Sequence, residues 1–445
     1  MNPIARQIAA VLLAGAWTSE GRNRALLAWT GPNPPKHTAR LVAEIEAALA
    51  EWRRPYPPSN DRLAAMLRDC SSLRSVAREL ARRRNSPPAI PLAPPVFRPA
   101  PRFQGLDIPP LATTGALAAW LGLSSTELDW LADPSDRLSR PGVRGAPHYA
   151  VHWIPRRRGL PRPVEAPAPR LKAVQRDLLR TILDPVPVHP AAFGFMRGRN
   201  AVQGAARHTG EEMVLTADLK DFFTLITASR INGIFRCLGY PAGVARLLTG
   251  LVTTATPRAL MGPIDGPGRE RHTMRAHLAV PHLPQGAPTS PALANLAAHG
   301  LDRRLHALAA RRGAGYTRYA DDLTFSGPAS AFGRDAAPVL QRLDGIARDE
   351  GFVLNAGKVR VMRAGQRQQV TGIVVNQSVG LPRDEMDRLK AILTNCLRHG
   401  PSGQNRAGHP AFRAHLEGRV AWVGQVAPHR ARRLALMLDA IDWSR

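Results

Sequence analysis

Only three cysteines, Cys70, Cys237 and Cys396, occur in 445 residues, far apart and never as a Cys-x-x-Cys pair. That excludes a disulfide scaffold or a cysteine-rich zinc site and suits a reducing, cytoplasmic setting. No later apolar run approaches the ~18 residues a membrane span needs, so no membrane partner is expected. Aromatic residues are sparse, at 5%. Acids are short as well: 34 Asp and Glu face 61 Lys and Arg, a formal charge of +27. Lysine is rare too. Lys36, Lys172, Lys220, Lys358 and Lys390 are the full set, which leaves 56 arginines, a ratio that a GC-rich genome produces by codon bias. Codon bias explains arginine over lysine but not the deficit of acids. A basic surface gains by neutralising phosphates and releasing their counterions, so the charge points to nucleic acid. With 44% hydrophobic residues the chain can bury a real core, which excludes wholesale disorder.

The length suits two or three domains. Residues 1–86 read as a basic helical extension, with Leu41, Ile45 and Leu49 at helical spacing. Arg6, the apolar run Ile8 to Trp17 and the small residues Ala14-Gly15-Ala16 have the layout of a secretory signal. Ile4, Ile8, Val11 and Leu12 equally form one face of an amphipathic helix. Residues 87–110 open with PPAIPLAPPVFRPAP, a linker of polyproline character. Residues 111–147 hold two short helical patterns around Gly122-Leu123, with Ser124 as N-cap and Glu127 three residues on. That is a helix-turn-helix or a hairpin used only for packing. From His148 strands and helices alternate: strands at Tyr149–Ile154, Arg162–Ala166 and Val214–Leu219, a strand–turn–strand at Arg318–Phe325, and a strand at Gln369–Val375. A helix is expected over Leu171–Leu183, and Pro382 begins another with Met386, Leu389, Leu393 and Leu397 on one face. The basicity is spread along the chain, +8 over residues 1–110 and +19 over the rest, so it lines folded surfaces.

Chemistry-bearing residues concentrate in the α/β stretch. Tyr319-Ala320-Asp321-Asp322 sits between β-rich segments, and adjacent carboxylates at a hairpin turn are costly unless solvated or bound to cations. Alone, the pair reads as a solvated turn. Val214 to Asp218 adds an apolar strand ending in an acid, followed by Leu219-Lys220-Asp221-Phe222-Phe223. If the two strands are sheet neighbours, Asp218, Asp321 and Asp322 converge at one edge. Three carboxylates there would hold two Mg²⁺ ions, with Mn²⁺ as a substitute, which suits in-line phosphoryl displacement.

These motifs, with Leu283-Pro284-Gln285-Gly286-Ala287-Pro288-Thr289-Ser290-Pro291 between them, resemble a reverse transcriptase over about residues 111–445. The resemblance implies an α+β right-hand polymerase: fingers and an antiparallel palm over 148–380, a helical thumb over 381–445, and the helical extension in front. Residue by residue, it makes Phe223 the aromatic steric gate, which selects dNTPs by a clash with the 2′-OH. It sets Gln285 beside the incoming nucleotide, Arg162 on the triphosphate through its planar fork, and Lys358 near the departing pyrophosphate. Gln285 alone reads as a turn residue, and Arg162 and Lys358 as solvated charges.

Within the family the chain most resembles bacterial retron reverse transcriptases. It stops about 65 residues after Leu381, enough for a thumb but not for a maturase domain or an RNase H domain, and it has no Walker A motif. Val370, Thr371 and Gly372 match the Val-Thr-Gly motif, and Gly194 to Asn200 matches a fingers segment. The Asn-Ala-x-x-His motif appears as Gly204 to His208, with Gly204 in place of the Asn. The resemblance makes Val370, Thr371, Gly372 and His208 RNA-binding; His208 otherwise reads as a helix-end histidine. It further implies a cognate non-coding RNA as template and primer, priming from a guanosine 2′-OH, a branched RNA–DNA product (msDNA), dNTP substrates, a role in anti-phage defence, and an effector protein from the same locus. The alternatives are another defence-associated or group II-like reverse transcriptase without msDNA, and a non-catalytic helix-turn-helix nucleic-acid-binding protein.

Overall fold

The computed structural model describes residues 3–14, 17–50, 52, 58, 60–83, 95–134, 148–156, 159–262, 264, 267–333 and 336–444. In chain order the helices α1 to α8 are Pro3–Ala14, Ser19–Thr30, Thr38–Ala50, Asn60–Leu67, Leu73–Arg83, Thr114–Trp120, Ser125–Ala132 and Pro169–Leu178. Helices α9 to α14 are Ala201–Ala206, Ala228–Cys237, Ala242–Val252, Gly268–Leu278, Ser290–Ala297 and His299–Ala310. Helices α15 to α19 are Ala329–Phe332, Ala337–Asp349, Arg383–His399, Phe412–Val426 and Pro428–Asp439. Strands β1 to β9 are Tyr149–Ile154, Arg162–Pro167, Met213–Lys220, Gly315–Tyr319, Asp322–Gly327, Val353–Leu354, Arg360–Arg363, Gln369–Val370 and Ile373–Val374. None of the described helices is long and apolar enough to cross a membrane.

The chain folds into two compact units that interleave in sequence: Met1–Val186 with Thr227–Ser290, and Pro187–Ile226 with Pro291–Arg445. The linear division at residues 148 and 381 therefore does not coincide with the compact units.

In the first unit, α1 to α5 have a core of their own. Ala5, Ile8, Ala9, Val11 and Leu12 bury one face of α1 against Leu26, Trp29, Leu41, Ile45, Leu63, Leu67, Val76 and Leu80. The amphipathic reading of Ile8, Val11 and Leu12 is the one realised; Gly15 and Ala16 lie outside the described residues. Residues 87–94 also lie outside them, but 95–110 is no free linker. The amides of Arg98 and Ala100 donate to the carbonyls of Gly239 and Cys237, and Phe103 and Ile108 are buried. Backbone pairing of this kind suits proline-rich chain, because only alternate amides are needed. Ser124 and Glu127 form the expected capping box at the start of α7. The C-terminal end of α7 lies so close to α11 that a Cβ on Gly250 would run into the Ala132 carbonyl oxygen. The hairpin is thus packed against α11. Strands β1 and β2 pair antiparallel, Ile154 opposite Arg162; of the basic turn between them, Arg157 and Arg158 lie outside the described residues.

The second unit is built on a five-stranded antiparallel sheet, β4-β5-β3-β6, with β7 also beside β3. Met213, Val214 and Leu215 are fully buried, as the central strand of a covered sheet requires. The expected strand over Gln369–Val375 is instead a hairpin, β8 and β9, turning on Thr371 (φ 48°) and Gly372 (φ 84°). Two successive positive φ angles are the mark of a two-residue hairpin turn, which Gly favours. Leu389, Leu393, Cys396, Leu416, Val420, Val423, Leu434 and Leu438 form a separate helical core in α17 to α19.

Candidate active site

Strand β3 runs antiparallel to β5 with Asp218 and Asp322 as direct cross-strand partners. Strands β4 and β5 are joined by Ala320 and Asp321 alone, Tyr319 pairing with Asp322. The amide of Leu219 donates to the Asp321 carbonyl at 2.9 Å, which ties the turn to the end of β3. Of the three acids expected to converge, Asp218 and Asp322 thus stand on adjacent strands and Asp321 in the turn beside them, at one end of the sheet.

The local charge is out of balance. Burial, and then the negative charges of Asp321 and Asp218, push the Asp322 carboxyl up to about 6, with Lys358 acting in the opposite sense. Lys358 Nζ lies 2.7 Å from Asp218 Oδ1, and Asn355 Nδ2 donates to Oδ2 at 3.2 Å. The Asn355 amide also donates to the Asp218 carbonyl at 2.8 Å. The ammonium group, itself about half exposed, therefore supplies the cation beside Asp218. Among the described residues no three acidic, imidazole or thiol side chains are already disposed around one ion position.

Phe223 is half-buried just beyond the end of β3, its ring 5.5 Å from that of Phe222 and 6.1 Å from that of Phe195. Arg162 and Gln285 belong to the other unit. There the Gln285 carbonyl accepts from the amide of Glu165, three residues along β2 from Arg162. Glu165 is itself buried, accepting from Thr256 Oγ1 at 2.6 Å and lying 3.0 Å from His282 Nε2. The His282 Nδ1 faces the Val280 carbonyl at 2.7 Å, so both ring nitrogens have a polar neighbour. Sequence reasoning did not single out this pair; an acid inside a β1–β2 hairpin of alternating burial was the available signal.

His208 has no exposed surface. Its ring nitrogens lie 2.6 Å from Thr317 Oγ1 and 2.8 Å from Ser326 Oγ, and burial lowers its pKa to about 4. A neutral ring that donates to one hydroxyl and accepts from the other fits both facts. The helix-end reading describes its surroundings: it follows the C-cap of α9 and fixes that end to β4 and β5. Val370 is likewise buried, whereas Thr371 and Gly372 stand at the hairpin tip.

The family model described as reverse transcriptase (RNA-dependent DNA polymerase) matches residues 154–382, which span β2 to the start of α17 and all three acids. The chain belongs to the reverse transcriptase family. Within it the retron branch is where its relatives lie: it is 41% identical to the retron Mx65 reverse transcriptase of Myxococcus xanthus, over 65% of this chain and 64% of that one. Against the retron Mx162 reverse transcriptase of the same organism it is 36% identical over 75% and 67% of the two chains. Against the retron Ec86 reverse transcriptase of Escherichia coli it is 29% identical over 63% and 77%. The chain thus spans about two thirds of the length of the two Myxococcus relatives. Among solved structures, the foamy viral protease-reverse transcriptase in complex with double-stranded DNA aligns over 66% of this chain and 43% of that one, with a TM-score of 0.31 and 16% identity.

Reverse transcriptases generally use divalent metal ions. The residues here fit such an ion chemically. They are hard oxygen donors with a raised carboxyl pKa among them, and the ammonium beside Asp218 belongs to the half-exposed side chain of Lys358.

Proposed function

We propose that the chain is a retron reverse transcriptase, an RNA-directed DNA polymerase that copies a structured non-coding RNA by nucleotidyl transfer at Asp218, Asp321 and Asp322. One observation carries the reading: the direct pairing of Asp218 with Asp322 across β3 and β5, with Asp321 in the turn. Two Mg²⁺ ions, or Mn²⁺ in their place, held by these acids would lower the pKa of the primer hydroxyl and carry the charge of the triphosphate. The chain's own residues then divide the remaining work. Phe223 excludes a 2′-OH from the nucleotide, Gln285 lies beside the base, and the Arg162 fork grips the triphosphate. Lys358, whose ammonium lies 2.7 Å from Asp218 Oδ1, would neutralise the departing pyrophosphate.

The family resemblance supports the finer reading. The RNA serves as template and primer, a guanosine 2′-OH starts synthesis, the product is branched RNA–DNA, and the activity serves anti-phage defence with an effector from the same locus. Thr371 and Gly372 meet the RNA from the hairpin tip, while Val370 and His208 act from within, by holding that hairpin and α9.

Template-primed dNTP incorporation with Mg²⁺ is the first test. Asp321→Asn is expected to lower it by on the order of 10³-fold, the several kcal/mol a catalytic metal contributes; undiminished incorporation would reject the assignment. Sequencing the co-purified nucleic acid before and after RNase and debranching treatment tests the branch. Linear DNA, or none, removes the retron product and leaves the polymerase standing.

A further inference from the structure

Directly behind the Asp321–Asp322 turn lies a buried ion pair that the nucleotidyl-transfer chemistry does not itself use. Arg318 on β4 and Asp302 on α14 both have no exposed surface. The guanidinium grips the carboxylate with two prongs, Nε donating to Oδ1 at 2.8 Å and Nη2 to Oδ2 at 2.7 Å. The Tyr316 hydroxyl donates to the same Oδ1 at 2.9 Å. Nη1 has two further acceptors, Asn295 Oδ1 and the Ala320 carbonyl, each at 3.0 Å. Asn295 Nδ2 in turn donates to the Gly194 carbonyl at 3.0 Å.

Stability alone is a poor reason for such a pair. Two charges taken out of water lose hydration that their attraction hardly repays, and apolar residues of the same volume usually serve as well. Apolar residues cannot aim four hydrogen bonds at fixed acceptors. The acceptor that matters is Ala320, whose φ of 56° is left-handed and disfavoured for a residue with a Cβ unless its surroundings hold it there. The other side of the turn rests on Gly194, where a Cβ would lie 2.5 Å from the Ala320 nitrogen and 3.1 Å from the Tyr319 carbonyl carbon. The guanidinium carbon also lies 5.9 Å from the centre of the Phe222 ring, in the segment that follows Asp218. One buried cation therefore reaches both carboxylate-bearing segments.

We infer that Arg318 is a positioning residue for the catalytic turn, with Asp302, Asn295 and Gly194 as its supports. Together they hold Tyr319 to Asp322 in the conformation that sets Asp321 and Asp322 against Asp218. The catalytic consequence rests on the polymerase reading; the positioning itself does not.

Two variants of the full chain attack the device from opposite sides. Arg318→Lys keeps the charge within reach of Asp302 but loses the fork, and with it the bonds to Asn295 and Ala320. Gly194→Ala pushes on the turn and leaves the ion pair intact. Two measurements read the result: hydrogen exchange of residues 316–326, and single-turnover incorporation of one nucleotide, which separates the rate constant from the active fraction. Residues 316–326 are expected to exchange about tenfold faster while α17 to α19 keep their protection. The rate constant is expected to fall about 100-fold at an active fraction near wild type, with the KM for dNTP little changed. Unaltered exchange overturns the inference. So does a loss confined to the active fraction, with wild-type rate constants in the molecules that remain. Wild-type protein that incorporates nothing sinks the polymerase reading instead, and the exchange measurement still decides the positioning.

Discussion

Phe223 and Asp218 are five residues apart in sequence, and the proposed function gives them two tasks, selecting the sugar and holding charge. The ring of Phe223 is braced by Phe222 and Phe195, which leaves it little room to move aside for a 2′-OH. Phe223→Ala is therefore expected to lower the preference for dNTP over rNTP about 10- to 100-fold, measured as a ratio of kcat/KM values, with dNTP incorporation kept. An unchanged ratio would remove the gate. Lys358 offers a second check. Its ammonium offsets carboxylate charge at Asp218, so Lys358→Ala leaves the acids less compensated. The concentration of Mg²⁺ giving half-maximal incorporation is expected to fall rather than rise, since the competing cation is gone. Residue types at the site were legible in the sequence because the chemistry needs carboxylates at a strand end and at a turn. The partners that hold them were not. Arg318 sits one position before Tyr319, and nothing in its immediate sequence reveals that an Asp lies on α14 to receive it.

At the scale of elements, α9 is anchored to the β4–β5 hairpin by His208. The folded imidazole takes up a proton only near pH 4, whereas the unfolded one does so near 6.5. Between those values the unfolded chain binds more protons, so stability falls as the pH falls, by ~1.4 kcal/mol per unit and about 3 kcal/mol by pH 4. Above pH 6.5 the contribution is fully present. His208→Gln, which bonds to hydroxyls without titrating, is expected to flatten that part of the pH profile in chemical denaturation. The contact of α7 with α11 is a different kind of constraint. Any side chain at Gly250 runs into the Ala132 carbonyl, so Gly250→Ala should lower the melting temperature through steric overlap, with a cost of about 1–3 kcal/mol. Helices such as α1, α3, α8 and α17 could be read from periodicity and the capping box at Ser124 from its spacing, whereas α9 to α16 and the short strands β6 and β7 were not singled out. The hairpin at Thr371 and Gly372 could not, because a buried Val370 and Ile373 flanking it have the pattern of one continuous strand.

Across the whole molecule, the charge of +27 remains the broadest statement about function. Among residues 156–172, Arg156, Arg157, Arg158, Arg162, Arg170 and Lys172 face Glu165 alone, and Glu165 is engaged with Thr256 and His282. Binding to nucleic acid is expected to weaken steeply with salt, log K falling linearly with log salt concentration, by about 0.7 to 0.9 for each phosphate contacted. A flat dependence would deny the charge its role. The first five helices enclose their own core, so removing residues 1–85 is expected to spare polymerisation on a generic primer–template. Loss of that activity in a still-folded protein would reject the expectation.

The sequence by itself singled out the residues proposed to carry the chemistry. A metal-dependent transfer needs particular side chains at strand ends and turns, and Asp218 closes an apolar strand while Asp321 and Asp322 fall at the turn between two others. It also pointed to a polyanionic partner, since net charge needs no fold to be counted. Tertiary structure alone decided the rest. The pairing of Asp218 with Asp322, the burial of Arg318 against Asp302 and the docking of residues 95–110 all join positions distant in sequence. Local propensity has no term for such contacts; they arise only when burial of apolar strands and helices forces the remaining polar groups to find one another.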